Sequence, residues 1–392
     1  MDHPAKRFHL RQRLTPPCPL LHQASLDFMK KIRLGIVGLG RRGRSMFALA
    51  AESFEQVIPA AGCDLDDKIW MEKQNKETLS LAEKYPDATF FTDYDRMLSE
   101  TSLDAILVET PANIHAEFCM KALERGIAVL SDVPFAASLD EGNRLWDCVR
   151  KTGALFMAGA NPNEWGFVEA MVDLYQKGLL GELSLLEAEY IHDVRYLWKS
   201  TPWRNSGAFW PITYCTHSLG PLLRILKEDL RYVSCLGTGS KICPDDPTRQ
   251  DMMCAHFRTG NNVVVRLMTS FINNAHIGLH SYRVFGTTGY FERFSGRGKL
   301  APATFFSSEK LYGAHDLTEL PVNLQRHELT ASADAGHGGA DQALLQRFFM
   351  ALENQAEPID IREGLRMTFP GIYACESARK GGQLVEIKYP WD

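Results

Sequence analysis

The run Gly38-Leu39-Gly40-Arg41-Arg42-Gly43 constrains the fold of this 392-residue chain more than any other. It follows directly on Ile32 to Val37, a short apolar, β-branched run bounded by glycine, which reads as a strand buried on both faces. Ser45 to Ala51 continues as a helix. The pattern is therefore GxGxxG in the context it needs, strand before and helix after. The first glycine permits a tight turn, the second lets backbone approach a pyrophosphate, and the third lets helix pack on strand. A helix N-terminus there offers free N–H groups and positive potential to phosphates. Arg41, Arg42 and Arg44 sit at the same place and are candidates for further phosphate contacts. The expected ligand is a dinucleotide.

A second strand, Gln56 to Cys63, ends in Asp64. An acid there, roughly 20 residues past the glycines, binds ribose hydroxyls and repels a 2′-phosphate, which favours NAD over NADP. A helix N-cap is the alternative role for Asp64, and the two are compatible. Ala105 to Val108 is a further apolar strand, leading into Thr110-Pro111-Ala112-Asn113-Ile114-His115 and a helix from His115 to Arg125, ended by Gly126. Ala128 to Ser131 is the next strand, closing on Asp132-Val133-Pro134. This βαβ rhythm predicts a parallel, doubly wound sheet. Beyond it, helices over Phe167–Lys177, Asp341–Leu352 and Ile361–Lys380 accompany strands at Leu183–Tyr190, Arg231–Gly237, Met252–Arg258, Asn262–Ser270, Ser281–Phe285 and Leu384–Lys388.

Composition narrows the class. Length alone suggests two or three domains at about 150 residues each. Hydrophobic residues at 45% and charged residues at 23% are ordinary for a globular protein and exclude a disordered or collagen-like chain. No apolar run reaches the length of about 18 residues that a membrane span needs. A net charge of -5 argues against a nucleic-acid partner. Nine cysteines without CxxC spacing predict a reducing compartment. Cys235, Cys243, Cys254 and His256 fit no zinc spacing, so no metal is expected. Residues 1–28 are rich in proline, lack a signal-peptide core and predict a disordered extension, or an arm that docks on a partner subunit. Residues 29–155 are then the NAD-binding Rossmann domain. Residues 156–392 form a substrate and oligomerisation domain of α/β class, its C-terminal helices packing near the domain junction. The expected location is cytoplasmic.

The glycine loop, the Thr110-to-His115 segment and the Ser131-to-Pro134 corner resemble the glucose–fructose oxidoreductase, inositol dehydrogenase and rhizopine catabolism (Gfo/Idh/MocA) family. The resemblance covers nearly all of the chain after Met29. It implies an N-terminal Rossmann domain followed by an α/β domain with a large, open, mostly antiparallel sheet. It implies tightly bound, recycled NAD, held by Gly38, Leu39, Gly40, Arg41, Arg42, Gly43, Asp64, Thr110, Pro111, Asn113, His115, Asp132 and Val133. The sheet, expected to leave a broad apolar face, would pair in a homodimer or homotetramer. The family's dehydrogenases usually carry Glu-Lys-Pro at the corner where this chain has Asp132-Val133-Pro134. They also usually carry an aspartate where Thr213 stands, four residues before His217.

Both departures resemble a subgroup, the NAD-dependent glycosidases of α-N-acetylgalactosaminidase type. The matching segments are Tyr190-Ile191-His192-Asp193, Tyr214-Cys215-Thr216-His217-Ser218-Leu219-Gly220-Pro221 and Gly336-His337-Gly338-Gly339. That subgroup also tends to have glutamate where Ala160 precedes Asn161, which implies an altered sugar contact here. The implied reaction cleaves a hexoside without net redox: transient oxidation at sugar carbon 3, deprotonation at carbon 2, elimination, water addition and re-reduction. It implies Tyr190 as the carbon 2 base, aided by Arg195, Arg204 or the nicotinium charge, His217 at the carbon 3 hydroxyl, and Tyr214 beside it. It implies Arg204, Asn161 and His337 as substrate contacts. From the residues alone, Tyr190 reads first as a strand tyrosine with a satisfied hydroxyl, and only the surrounding motif turns it toward function. Tyr214 and His217, three apart, share one face if both are helical. Two other outcomes stay open: a sugar oxidoreductase that forms or reduces a 3-keto sugar, and a non-catalytic NAD or sugar sensor.

Overall fold

The computed structural model describes residues 30–73, 78–199, 201–205, 207, 209–274, 276–322 and 336–392. The expected extension, 1–28, lies outside them. The apolar runs that alternate with amphipathic helices form a six-stranded parallel sheet. Its elements are β1 (Ile32–Val37), α1 (Arg41–Ser53), β2 (Val57–Cys63), α2 (Lys68–Met71), α3 (Leu81–Lys84), β3 (Thr89–Phe91), α4 (Tyr94–Glu100), β4 (Ala105–Val108), α5 (His115–Leu123), β5 (Ala128–Ser131), α6 (Leu139–Thr152) and β6 (Phe156–Ala158). The strand order is β3-β2-β1-β4-β5-β6. Strands β4 and β5 are buried at every residue, as parallel strands covered on both faces must be. Order reverses between β1 and β4, and ligands of such sheets bind outside the strand C-termini at that switch. Phe156–Ala158 pairs with β5 as the edge strand of this sheet, just past the expected boundary at 155.

The second domain carries α7 (Gly166–Gln176), β7 (Leu183–Ile191), α8 (Thr216–Leu223), β8 (Leu230–Gly237), β9 (Met252–Thr259), β10 (Val264–Ser270), β11 (His280–Gly286), β12 (Gly289–Phe294), β13 (Ala303–Ser308), β14 (Thr318–Leu320), α9 (Ala340–Leu352), α10 (Ile361–Arg379) and β15 (Val385–Glu386). Its nine-stranded sheet runs β14-β13-β12-β11-β7-β10-β9-β8-β15. Among the described residues of this sheet, only the β7–β10 pairing is parallel. Alternation along β7 turns Leu186, Ala188 and Tyr190 inward and Glu187 and Glu189 outward.

The outer face is not the broad apolar surface expected. Register sets Arg266 of β10 and Arg283 of β11 on either side of Glu187. Arg266 pairs with Glu187, Arg283 lies 3.0 Å from it, and both arginines lie 3.6 Å from Glu189. Period-two alternation placed charge on that face, and cross-strand pairing neutralised it.

Candidate active site at the domain junction

The glycine loop behaves as its spacing demands. Gly38 has φ +90°, and a side chain there would lie 2.7 Å from the backbone of Glu109. A Cβ on Gly43 would lie 1.9 Å from the Gly38 carbonyl oxygen, so α1 packs on the loop at a distance only glycine allows. A Cβ on Gly40 would meet nothing within 4 Å. That open side, at the N-terminus of α1, is where a pyrophosphate would approach. Asp64 accepts hydrogen bonds from the Leu39 amide (2.6 Å) and the Asp66 amide (3.1 Å). It braces the loop rather than capping α2, whose N-cap is Asp67.

The arginines divide. Arg41 is exposed beside the loop. Arg44 is buried and donates to the Ile69 carbonyl. Arg42 turns across the domain junction and donates two hydrogen bonds, 2.6 and 3.0 Å, to Asp341 of α9. It also lies 3.9 Å from both Glu109 and Asp132. Burial alone would lower the Arg42 pKa, but Asp341, Asp132 and Glu109 together raise it. Glu109 itself, buried and beside Asp132, is pushed well above the usual carboxylate range. Its Oε2 and the Thr110 Oγ1 are buried with no hydrogen-bond partner among the described residues. These two atoms at the end of β4, with the Gly40 opening, fit a cofactor lying over the switch point.

Pro111 and Asn113 are exposed in the loop after β4. His115 is 3% exposed, and its Nδ1 lies 3.1 Å from the Pro134 carbonyl oxygen. It therefore braces the Asp132-Val133-Pro134 corner from behind. Val133 is 2% exposed and packs into the core, so nothing at that position can exchange a proton.

Aromatic and imidazole rings gather on the inner side of the second sheet. The Tyr190 ring lies 5.4 Å from Tyr214, 5.6 Å from His217 and 5.1 Å from His280. The Tyr190 hydroxyl is 2.8 Å from Nδ1 of His192. Tyr214 is not on the helix of His217. It ends a 3-10 turn, Pro211–Tyr214, just before α8, and the two rings still stand 4.6 Å apart. Arg204 stacks over Trp203 at 4.4 Å and over Tyr214 at 5.3 Å. Burial, then Tyr214, pushes the Tyr190 pKa well above its ordinary value, while Arg204 pulls it back. Burial also drives His217 well below the ordinary imidazole value, His192 to about 4 and His280 to about 3. The three histidines are therefore neutral, each presenting one donor and one acceptor nitrogen. Arg195 does not join this cluster: it donates to Asp193 (2.8 Å) and Asn274 (2.9 Å) instead.

Asn161 donates to Asp341 (2.8 Å), and His337 Nδ1 lies 2.8 Å from the same carboxylate. Trp165 Nε1 donates to the His337 carbonyl oxygen (3.0 Å), and its ring lies 4.7 Å from His280. The two halves of the site, glycine loop and ring cluster, thus meet at Asp341 and Trp165. Sequence reading missed Glu109, Trp165, His280 and Asp341 as site residues. Glu109 stood next to Thr110-Pro111 and Asp341 two residues past the Gly-His-Gly-Gly run, so position beside a motif was the available signal.

The sequence profile of the oxidoreductase family with NAD-binding Rossmann fold (Gfo/Idh/MocA) matches residues 32–160. Residues 32–160 are an NAD-binding domain of that family. Similarity extends well past it. A glycosyl hydrolase family 109 protein of Shewanella pealeana is 26% identical, over 92% of this chain and 85% of its own length. An α-N-acetylgalactosaminidase of Shewanella oneidensis is 24% identical over the same shares. Among solved structures, myo-inositol 2-dehydrogenase from Lactobacillus plantarum has TM-score 0.73 at 17% identity, covering 92% of this chain and all of its own. A levoglucosan dehydrogenase in complex with NADH and levoglucosan has TM-score 0.75 at 14% identity, with the same coverage. The two-domain fold of these neighbours is thus shared by 92% of this chain. Among the described residues no helix is long and apolar enough to cross a membrane.

Proposed function

We propose that the chain is an NAD-dependent glycosidase that cleaves a hexoside with no net redox. The observation that carries this is the Tyr190 cluster, set against a corner where Val133 replaces a proton-carrying side chain. The glycosidase names of the relatives at about a quarter identity support the same reading. Bound NAD would supply a reversible hydride acceptor for carbon 3 of the sugar. Gly38, Gly40, Gly43 and the end of β4 at Glu109-Thr110 would hold it.

The chain's own groups do the rest. His217, neutral and next to Tyr214, takes the proton of the carbon 3 hydroxyl. A carbonyl at carbon 3 acidifies the hydrogen on carbon 2, and Tyr190 removes it while the glycosidic oxygen departs, taking up a proton to leave as the alcohol. Water then adds at carbon 1, a proton returns to carbon 2, and the carbon 3 carbonyl is reduced back to the hydroxyl. A tyrosine buried as Tyr190 is needs help to ionise. Arg204 favours the tyrosinate, and the hydroxyl lies 2.8 Å from Nδ1 of His192. Arg204, Asn161 and His337 line the sugar side. No paired carboxylates are needed on this route, unlike that of ordinary glycosidases.

Purified protein with a panel of p-nitrophenyl α- and β-hexosides tests the proposal. Nitrophenol is expected without stoichiometric NADH, with deuterium from solvent entering at carbon 2. NADH accumulating with a free sugar, and no glycoside cleaved, would overturn it. That outcome would favour a sugar oxidoreductase, to which the dehydrogenase fold of the structural neighbours also corresponds.

A further inference from the structure

One carboxylate joins three separate segments of the site. Asp341 is 2% exposed and lies in the first turn of α9. Its oxygens receive Arg42 from the glycine loop, Asn161 from the turn after the Rossmann sheet, and Nδ1 of His337. Burial would raise its pKa, but Arg42 and then His337 outweigh burial and lower it. The carboxylate is therefore ionised and acts only as an acceptor. It follows that Nδ1 of His337 carries the proton. Nε2 is the nitrogen left for a ligand, on a side chain that is 51% exposed. The His337 backbone sits at φ +44° between glycines of positive φ, with its carbonyl held by Trp165. Gly336 leaves no slack either: a Cβ there would lie 2.3 Å from Asp341 Oδ2.

We infer that Asp341 is a positioning residue that locks one tautomer of His337 and, through Arg42, ties that lock to the cofactor loop. The Asp341 oxygens are already engaged by Arg42, Asn161 and His337. Asp341 sets which nitrogen of His337 the sugar meets, and it holds the Arg42 guanidinium. The catalytic consequence rests on the glycosidase proposal; the tautomer lock does not.

The test uses the full chain labelled with nitrogen-15 at its histidines. The His337 ring signals are assigned by their loss in His337→Gln, an exposed position. In the parent protein the Nδ1–H tautomer should dominate over the Nε2–H tautomer. In Asp341→Asn the two tautomers should mix. A misplaced contact of this kind costs on the order of a hundredfold in rate, so kcat/KM on the best glycoside should fall by about that much. Combining Asp341→Asn with His337→Gln should add little to either alone. Should Asp341→Asn fail to fold because Arg42 is left buried and unpaired, Asp341→Asn with Arg42→Gln removes both charges and gives the same readout. An unchanged His337 tautomer in either variant overturns the inference. So do additive losses in the double variant. If the parent cleaves no glycoside, the functional proposal fails while the nitrogen-15 spectrum still decides the lock.

Discussion

A methyl group at residue 43 would sit 1.9 Å from the Gly38 carbonyl oxygen, and one at residue 40 would meet only open space. Two one-carbon changes therefore separate folding from binding. Gly43→Ala should destabilise the protein by about 1–3 kcal/mol, as overpacking does, read as a lower melting temperature. Gly40→Ala should keep the parent melting temperature of the cofactor-free protein yet weaken NAD affinity in a titration. Equal melting losses for both would contradict the assigned roles. At Tyr190, Phe keeps the ring packing and removes the hydroxyl. Cleavage should fall by about 10²–10⁴-fold, the usual worth of a positioned base, with NAD content unchanged. Normal turnover would remove Tyr190 as the base. These residues were legible because each stood in a spaced motif. Glu109, Trp165, His280 and Asp341 were not, because their roles arise from segments up to about 300 residues apart in sequence, as the Arg42–Asp341 pair shows.

Strands β7 and β11 and the turn after β7 bring His192 and His280 into the same buried space. Both have folded pKa values below the ordinary 6.5, at about 4 and about 3. The unfolded chain therefore binds protons first as the pH falls. The stability they contribute is complete above pH 6.5 and is lost progressively as the pH falls through the interval from 6.5 to about 3. The melting temperature should drop between pH 7 and pH 5, and His280→Asn should flatten that drop. A drop of undiminished slope in His280→Asn would show that other groups carry it. Element by element, the sequence was readable where alternation was strong, as in β7 and β9. Strands β6, β12, β13 and β14 were not anticipated. Two of them are three residues long, too short to show a period, and the Gly289–Phe294 and Ala303–Ser308 strands follow tight glycine turns that read as loop.

Across the whole molecule the nine-stranded sheet shields its inner face with α8 and α10 and leaves the other outward. That outward face carries the Glu187, Glu189, Arg266 and Arg283 grid. A homodimer pairing through this face should weaken when the grid is made uniformly acidic. Arg266→Glu with Arg283→Glu should shift sedimentation toward monomer, more so at low salt, because like charges repel over a Debye length of about 10 Å at 0.1 M. A parent protein that already sediments as a monomer would refute the pairing. The sequence by itself determined the Rossmann half, since glycine spacing, strand runs and the acid after β2 are local constraints of backbone geometry. It also marked most of the ring cluster through motif resemblance. Only the tertiary structure decided that Arg42 pairs with Asp341, that His115 braces the corner, and that Arg195 pairs with Asp193. Which partner a charged side chain takes depends on what the fold brings within a few ångströms, and no spacing along the chain encodes that distance.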